Sequence, residues 1–510
     1  MPPKYFQPVL AALCACGLLH PGYAQAEQTG LPPEQTWDLT IESAIQMALT
    51  NNLDVRINIL YPEIDQFALN ALYGAYEPVG TGSATHTYNA FPSGYFTQAG
   101  LRYPATIEQI NSYTPGINGQ TPAGTSYNVT GPLSEQNVSG SPDLYNSYPS
   151  ISVTQPLLKN SWINSASYQI LLGKNTIKND LQSVRLQVMN VVFNVKSAYY
   201  NLISARQNVT VEQAAVALAE ETYHEDEQRV QVGALAPLDE KQAESQAASA
   251  RSDLLTAQAN LVVQENVMKS LLAVPMRQWA GKRPVPTETL VAVPSHPQLL
   301  ECWRTGLEKR PDILQAKLGV ERQHITIKYD FNQLFPEIDL VGSYGRNATE
   351  LTLGNNLNAI SHGDYPFYTY GVSMTIPLGS TGAHNNYRAA KAGLEQILLQ
   401  AKKIEQTIVA AIDNDVKTVE SDLQKVDSTR QARLYAEDAL QAEQLKLQHG
   451  RSTSFVVLQL QNNLTAARLA EIQALAGYNI ALEQLALDEG INLEQNRIDL
   501  KVRHTDLQVR

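Results

Sequence analysis

Cysteine is nearly absent: the 510-residue chain has three, Cys14, Cys16 and Cys302. That excludes a disulfide scaffold. Positive charge is short too, with 38 Lys and Arg against 50 Asp and Glu, a net charge of −12. Such a balance makes a poor nucleic-acid binder, because phosphate neutralisation needs clustered cations. No run of about eighteen apolar residues occurs, so no transmembrane helix is expected. Phe and Trp number 9 and 4, whereas Tyr reaches 24. Tyr is the aromatic that tolerates a wet boundary. Catalytic patterns are also missing. His224-Glu225 has no second His at zinc-helix spacing, and Gly173-Lys174-Asn175 has Tyr168 where a phosphate loop needs Gly. No nucleophile elbow or dinucleotide-binding glycine turn is found. The scattered His residues form no ligand set, and Cys302 reads as a buried small residue. The expectation is a non-enzyme with no cofactor and no metal. At 43% apolar residues the chain still has the composition of a folded protein.

The first 26 residues read as a signal peptide. Lys4 is their only charge, an apolar stretch runs from Pro8 to Leu19, and Ala24-Gln25-Ala26 makes a small-x-small cleavage site. A second reading stays open: Leu13-Cys14-Ala15-Cys16-Gly17 resembles a lipoprotein box, with Cys16 as the lipidated residue. Either reading takes the chain out of the cytoplasm.

What is present is a duplication. Asn52-Leu53-Asp54-Val55 precedes Arg310-Pro311-Asp312-Ile313 by 258 residues, and Glu77-Pro78-Val79 precedes Phe335-Pro336-Glu337 by the same distance. Thr154-Gln155-Pro156-Leu157 matches Thr375-Ile376-Pro377-Leu378 at 221, so the first copy holds 37 extra residues in between. Gly233 matches Gly450 at 217. Residues 27–280 and 298–490 are therefore two repeats. A Pro-rich linker, 281–297, joins them, and 491–510 form a tail.

Within each repeat the periodicity switches. Leu181, Val184, Val188, Val191, Val195, Ala198 and Leu202 step three and four in turn, a heptad seam. The uninterrupted stretch around it is about 70 residues, a rod of roughly 100 Å. An isolated coiled coil would carry the same seam. Four other segments alternate with period two: about 79–90, 148–156, 337–345 and 367–377. Tyr368, Tyr370, Val372, Met374 and Ile376 take one face, and Thr369, Gly371, Ser373 and Thr375 the other. Ile151 and Val153, and Ile338, Leu340 and Tyr344, repeat the scheme, while 79–88 places Gly80, Gly82, Ala84, His86 and Tyr88 on one side. The pattern suits membrane β-strands, apolar outside and polar inside, and equally a half-buried soluble sheet. Four strands cannot close a barrel, so a membrane reading requires several chains. Tyr148, Tyr344, Tyr365, Phe367, Tyr368 and Tyr370 read as an interfacial aromatic girdle. Between the first two segments, about 91–147 is rich in Pro, Gly, Ser and Asn without periodicity, and is expected to be a long external loop. Its counterpart, about 346–366, is shorter.

In their order, spacing and duplication these features resemble the TolC family of outer-membrane efflux proteins over about residues 38–490. Leu39-Thr40-Ile41-Glu42-Ser43-Ala44 resembles the family's first helix, and Arg310-Pro311-Asp312-Ile313 the opening of its second repeat. Gln155-Pro156-Leu157-Leu158 and Ile376-Pro377-Leu378-Gly379 resemble its strand-to-helix junctions. Arg229-Val230 with Gly233-Ala234, then Leu238-Asp239, is similar to its first helical tip, and Gly450 with Val457-Leu458 and Gln461 to its second. The resemblance implies an α/β membrane channel. Three chains of four strands would close a twelve-stranded outer-membrane β-barrel, continued by a long periplasmic α-helical coiled-coil barrel. It implies a passive exporter of small molecules whose partners are two further copies, a periplasmic adaptor, an inner-membrane pump and outer-membrane lipid. The exit duct of a type I protein secretion system has the same architecture and stays open, as does a pore-free periplasmic scaffold. Arg229, Gly233, Ala234 and Gly450 become adaptor-docking candidates. Asp239, Arg451, Val456 and Gln459 become periplasmic gate candidates. The family's paired acidic aperture residues are replaced here by Val456 and Gln459, so a polar link from Asp239 to Arg451 or Gln459 is expected instead.

Overall fold

The computed structural model describes residues 35–95, 102–274, 281–503 and 506–509. The expected signal peptide, and its alternative at Cys16, lie outside the described residues. The chain opens with β1 (Gln35–Leu39), α1 (Ile41–Asn51) and α2 (Leu53–Tyr73). Thr40 starts α1 by accepting from Ser43 N, and Asn52 starts α2 by accepting from Val55 N, ordinary N-caps.

Eight strands follow: β2 (Val79–Phe91), β3 (Gly94–Tyr95), β4 (Arg102–Tyr103), β5 (Thr106–Gln120), β6 (Ser126–Thr130), β7 (Leu133–Val138), β8 (Leu144–Ser147) and β9 (Ser150–Pro156). The first hairpin is α3 (Ser165–Gln231) and α4 (Pro237–Leu272). At 67 residues α3 is about 100 Å long. Its heptad seam faces inward: Val184, Val188, Val191, Val195, Ala198 and Leu202 are all buried, against α1, α4 and the second hairpin.

The Pro-rich stretch after it is more than a linker. It contains β10 (Lys282–Pro286), which pairs in parallel with β1 from Gln35↔Lys282 to Leu39↔Pro286. Pro284 and Pro286 lack an N–H, which an edge strand tolerates. Tyr478 holds the next residues, donating to Val293 O at 2.6 Å and accepting from Ser295 N at 3.1 Å. The second repeat supplies α5 (Leu299–Lys309), α6 (Pro311–Asn332), β11 (Glu337–Arg346), β12 (Ala348–Glu350), α7 (Leu353–His362) and β13 (Pro366–Thr375). Its hairpin is α8 (Thr381–Gln448) and α9 (Ser454–Asp488), followed by α10 (Asn492–Gln495), β14 (Leu500–Arg503) and β15 (Asp506–Val509). A second core joins Cys302, Ile313, Ile408, Ile412, Val416, Tyr478 and Leu485. Burial and the nearby Glu489 push the Cys302 thiol up to about 12.

The sheet differs from the four-strand expectation. Its register shows nine short strands to be six long ones. β6 and β7 both face β5 in one register, Gly116↔Thr130 and Tyr113↔Leu133, and part only at Gly131-Pro132. β8 and β9 both face that strand, Leu133↔Ser147 and Thr130↔Ser150, and part at Tyr148-Pro149. β11 and β12 likewise face β9 and β8, parting at Asn347. With β2 paired to β5 and β13 to β11, the order is β2, β5, β6–β7, β8–β9, β11–β12, β13, an antiparallel meander. The segment expected as an external loop from 91 to 147 therefore supplies two long strands. Gly116, Gly119, Gly131, Pro115 and Pro132 hid them, since these residues interrupt the apolar alternation on which strand recognition depends.

Candidate functional site

Three regions of the fold bear on function: the two faces of the sheet, the hairpin tips and the contacts between hairpins. The sheet has one apolar exposed face. Tyr113, Ile117, Val129, Ile151, Val153, Leu340, Tyr344, Tyr368, Tyr370, Val372 and Met374 share it by register and are all exposed. The opposite face carries Thr114, Asn118, Ser126, Asn128, Ser152, Thr154, Ser343, Thr369 and Ser373, with Val341 among them. Tyr344, Tyr368 and Tyr370 form one exposed aromatic patch on the apolar side, the last two stacked at 6.4 Å. Phe367 leaves the expected girdle. It lies on the polar face over Gly345, where an added Cβ would collide with its ring. Among the described residues no helix is long and apolar enough to cross a membrane.

At the tips, Gly233 and Gly450 adopt φ of +82° and +70°. Each closes its helix in the same way: Ala234 N donates to Arg229 O at 2.7 Å, and Arg451 N to Lys446 O at 2.9 Å. These six-to-one bonds are the Schellman arrangement, in which glycine supplies the left-handed residue. A Cβ at either glycine would meet nothing within 4 Å, so only the backbone demands glycine there. Pro237 opens α4, and Asp239 accepts from Ala236 N at 3.3 Å, a capping contact. Within the chain Asp239 is thus a helix cap. Arg451 and Val456 are exposed, and Gln459 donates to Asn463 at 3.3 Å. The structure brings none of these to Asp239 within one chain. Arg229 instead pairs with Glu225 at 3.3 Å and Asp226 at 3.7 Å. Val232, Leu238, Phe455 and Val456 stand exposed around the two tips, Val232 at 80%.

A polar seam behind the tips was not foreseen from the sequence. Asp226 of α3 is fully buried and accepts from Ser454 Oγ of α9 at 2.7 Å. One turn back along α3, Thr222 accepts from Gln461 of α9 at 3.0 Å, and on α4 Gln246 exchanges amide hydrogen bonds with Asn462. Burial raises the Asp226 carboxyl above its ordinary value, against the Ser454 hydroxyl and Arg229, while Asp239 pushes the same way as burial. Asp226 sits in an acidic run from Glu220 to Glu227 that reads as a solvated surface; only the packing of α9 singles it out. Higher up, Lys196 and Glu483 make a nearly buried ion pair at 2.7 Å between α3 and α9. Among the described residues no group of His, Cys, Asp and Glu is arranged to hold a metal.

The sequence profile of the outer membrane efflux proteins matches residues 124–274 and 304–487. The chain is 24% identical over 316 residues to the outer membrane efflux protein BepC of Brucella suis, a match covering 61% of this chain and 64% of that protein. It is 21% identical over 320 residues to the outer membrane protein TolC of Escherichia coli, covering 61% and 63%. The matched region thus spans under two thirds of these relatives' length. Among solved structures, the Campylobacter jejuni CmeC outer membrane channel superposes with a TM-score of 0.65 at 15% identity, covering 91% of this chain and 90% of that one.

Proposed function

Because the chain belongs to the outer membrane efflux protein family, we propose that it is the outer-membrane conduit of a tripartite efflux system, passing small molecules from periplasm to exterior. The family is one of outer-membrane channels rather than enzymes. In this reading the apolar sheet face meets lipid, the polar face lines the pore, and three copies close the barrel. The two hairpins from each copy would form the periplasmic tunnel. Its force comes from one observation: a sheet with a lipid-type face is joined in a single chain to two helical hairpins whose first arms are 67 and 68 residues long. A barrel must be closed in lipid, and this sheet has two free edges, β2 and β13, running in opposite directions. Edge-to-edge pairing of copies closes it antiparallel.

Passive transport needs no catalytic group, only a lumen and a gate. The buried contacts Asp226–Ser454 and Gln461–Thr222 tie the first hairpin to the second, so they hold the tips together. Asp239, Arg451, Val456 and Gln459 would face the aperture across copies, and Arg229, Gly233, Ala234 and Gly450 would shape the surface an adaptor grips.

The test is crosslinking from the tip in intact cells. Val232→Cys suits it better than a substitution at Gly233, whose positive φ a side chain would strain. Trapping a periplasmic adaptor with a proton-driven pump supports the proposal. Trapping an adaptor with an ATP-driven transporter would move the assignment to protein secretion. A monomer free in the periplasm would overturn the conduit.

A further inference from the structure

The extra residues of the first repeat fold into β5 and β6–β7, which stand between β2 and β9 in the sheet. We infer that this hairpin crosses the outer membrane as part of the barrel wall, giving each chain six spanning strands and an assembly of three chains an eighteen-stranded barrel.

Three observations carry it. First, the hairpin is fully laddered into the sheet. β5 pairs β2 over thirteen positions, from Val79↔Asn118 to Phe91↔Thr106, and β6 pairs β9 from Ser126↔Thr154 to Thr130↔Ser150. The hairpin separates β2 from β9, so the barrel cannot be reduced to four strands a chain without breaking both ladders. Second, its side chains continue the two faces of their neighbours. Tyr113, Ile117, Tyr127 and Val129 register with Ile151, Val153, Leu340 and Tyr344, while Thr114, Asn118, Ser126 and Asn128 register with Ser152 and Thr154. A plug hanging in the pore, or a loop above the membrane, has no reason to keep an apolar outer face in register with the lipid-facing strands. Third, the hairpin reaches the periplasmic end of the wall. Its turn, residues 121–125, lies beside the strand-to-helix junction, with Asn164 Nδ2 donating to Pro122 O at 3.2 Å and Thr125 bonding Gln155. The strands are about ten residues or longer from there upward, the span of a tilted membrane strand.

Two added strands preserve closure. The count per chain stays even, so β13 of one copy still meets β2 of the next antiparallel, as a closed barrel requires. At equal tilt, circumference scales with strand number, so eighteen strands make a pore about half again as wide as twelve, the size class of water-filled porins. The six strands per chain stand on the sheet itself. The number eighteen rests also on the three-copy assembly proposed above.

The test is cysteine labelling of the full chain in outer membranes, in a Cys302→Ala background. Ile117→Cys and Val129→Cys probe the outer face of the hairpin, and Asn118→Cys and Asn128→Cys its inner face. Val372→Cys and Ser373→Cys on β13 are the references. A small water-soluble maleimide should label Asn118→Cys and Asn128→Cys as fast as Ser373→Cys. Ile117→Cys and Val129→Cys should resist it at least tenfold, like Val372→Cys, and yield to a lipid-soluble maleimide. Equal aqueous labelling of all four would overturn the inference. An independent check is the pair Tyr127→Cys with Val153→Cys, directly opposed across β6 and β9. Opposed strand positions lie within disulfide reach, so oxidation should crosslink them. Failure to crosslink while the channel still conducts would count against the hairpin. The mass of the detergent-solubilised complex then reads copy number alone: three copies give eighteen strands, and any other number overturns the eighteen while leaving the labelling result to decide the hairpin.

Discussion

At the residue scale, glycine is required at the tips by the backbone and not by packing within the chain. Gly233→Ala and Gly450→Ala each force an L side chain into the left-handed region, at a cost of about 1–2 kcal/mol, with no clash to add. Each should lower the midpoint of urea unfolding, while Ala234→Gly beside it should change little. The carboxyls give a pH prediction. Asp415 of α8 is pushed up to about 8 by burial and by its hydrogen bond to Asp488, with the Asp488 charge adding and Arg310 opposing. Its pKa is higher folded than unfolded, so the folded state binds the proton more tightly. Its contribution is favourable at low pH and is lost as pH rises through about 8. The melting temperature should therefore fall from about pH 4 to pH 8, between the unfolded and folded values of this carboxyl, and Asp415→Asn should flatten that fall. A steeper fall in the variant would reverse the assignment. The tip glycines were legible in the sequence because a helix end writes itself as Gly after a polar run. Asp226 was not, because burial of one acid among many is decided by a partner more than two hundred residues away.

At the element scale, the long helices were legible and the strands only in part. The heptad seam is legible because six of its seven positions, Val184 to Leu202, are buried, apolar and evenly spaced, with Leu181 alone exposed. The strands β5 and β6–β7 spread a few apolar residues among Gly, Pro and Asn, and their structure is set by the neighbours they pair with. The linker hid β10 for the same reason, since two prolines argue against a strand until β1 lies alongside. What joins the hairpins is in part ionic. Lys196 of α3 and Glu483 of α9 meet with side chains only 11% and 13% exposed. Lys196→Met leaves a buried carboxylate without its cation, and breaking such a pair costs about 3–5 kcal/mol. Glu483→Gln with Lys196→Met together should recover much of that loss, because the orphaned charge is then gone. A double-mutant cycle in denaturant reads the difference. Behind the tips, Ser454→Ala takes the hydroxyl from buried Asp226 and should cost about 1–3 kcal/mol. If that seam holds the tips shut, the same variant raises leak conductance in a planar bilayer.

At the scale of the whole molecule, the duplication explains the helices, and its imperfection explains the sheet. Both repeats make a helix pair, two strands and a long hairpin. The second repeat stops there, joining β11–β12 to β13 through one short helix, α7. The first inserts a strand pair at the same point, so the two halves contribute unequally to the sheet although each supplies one long helical hairpin. In the barrel inferred above, the pore mouth is set by residues the duplication does not share, and altering it leaves the helices untouched. Excising residues 94–141 leaves Pro92-Ser93-Pro142-Asp143 as a turn, brings β2 beside β8–β9, still antiparallel, and returns each chain to four strands. Polymer-exclusion measurements on purified channels in bilayers, with polyethylene glycols added from the exterior side, should then show the limiting polymer radius falling to about two thirds of its original value. The periplasmic-side limit, governed by the tips, should stay where it was. A fall on both sides would mean that the hairpin acts on the tunnel, and no change on the exterior side would mean that it does not form the wall.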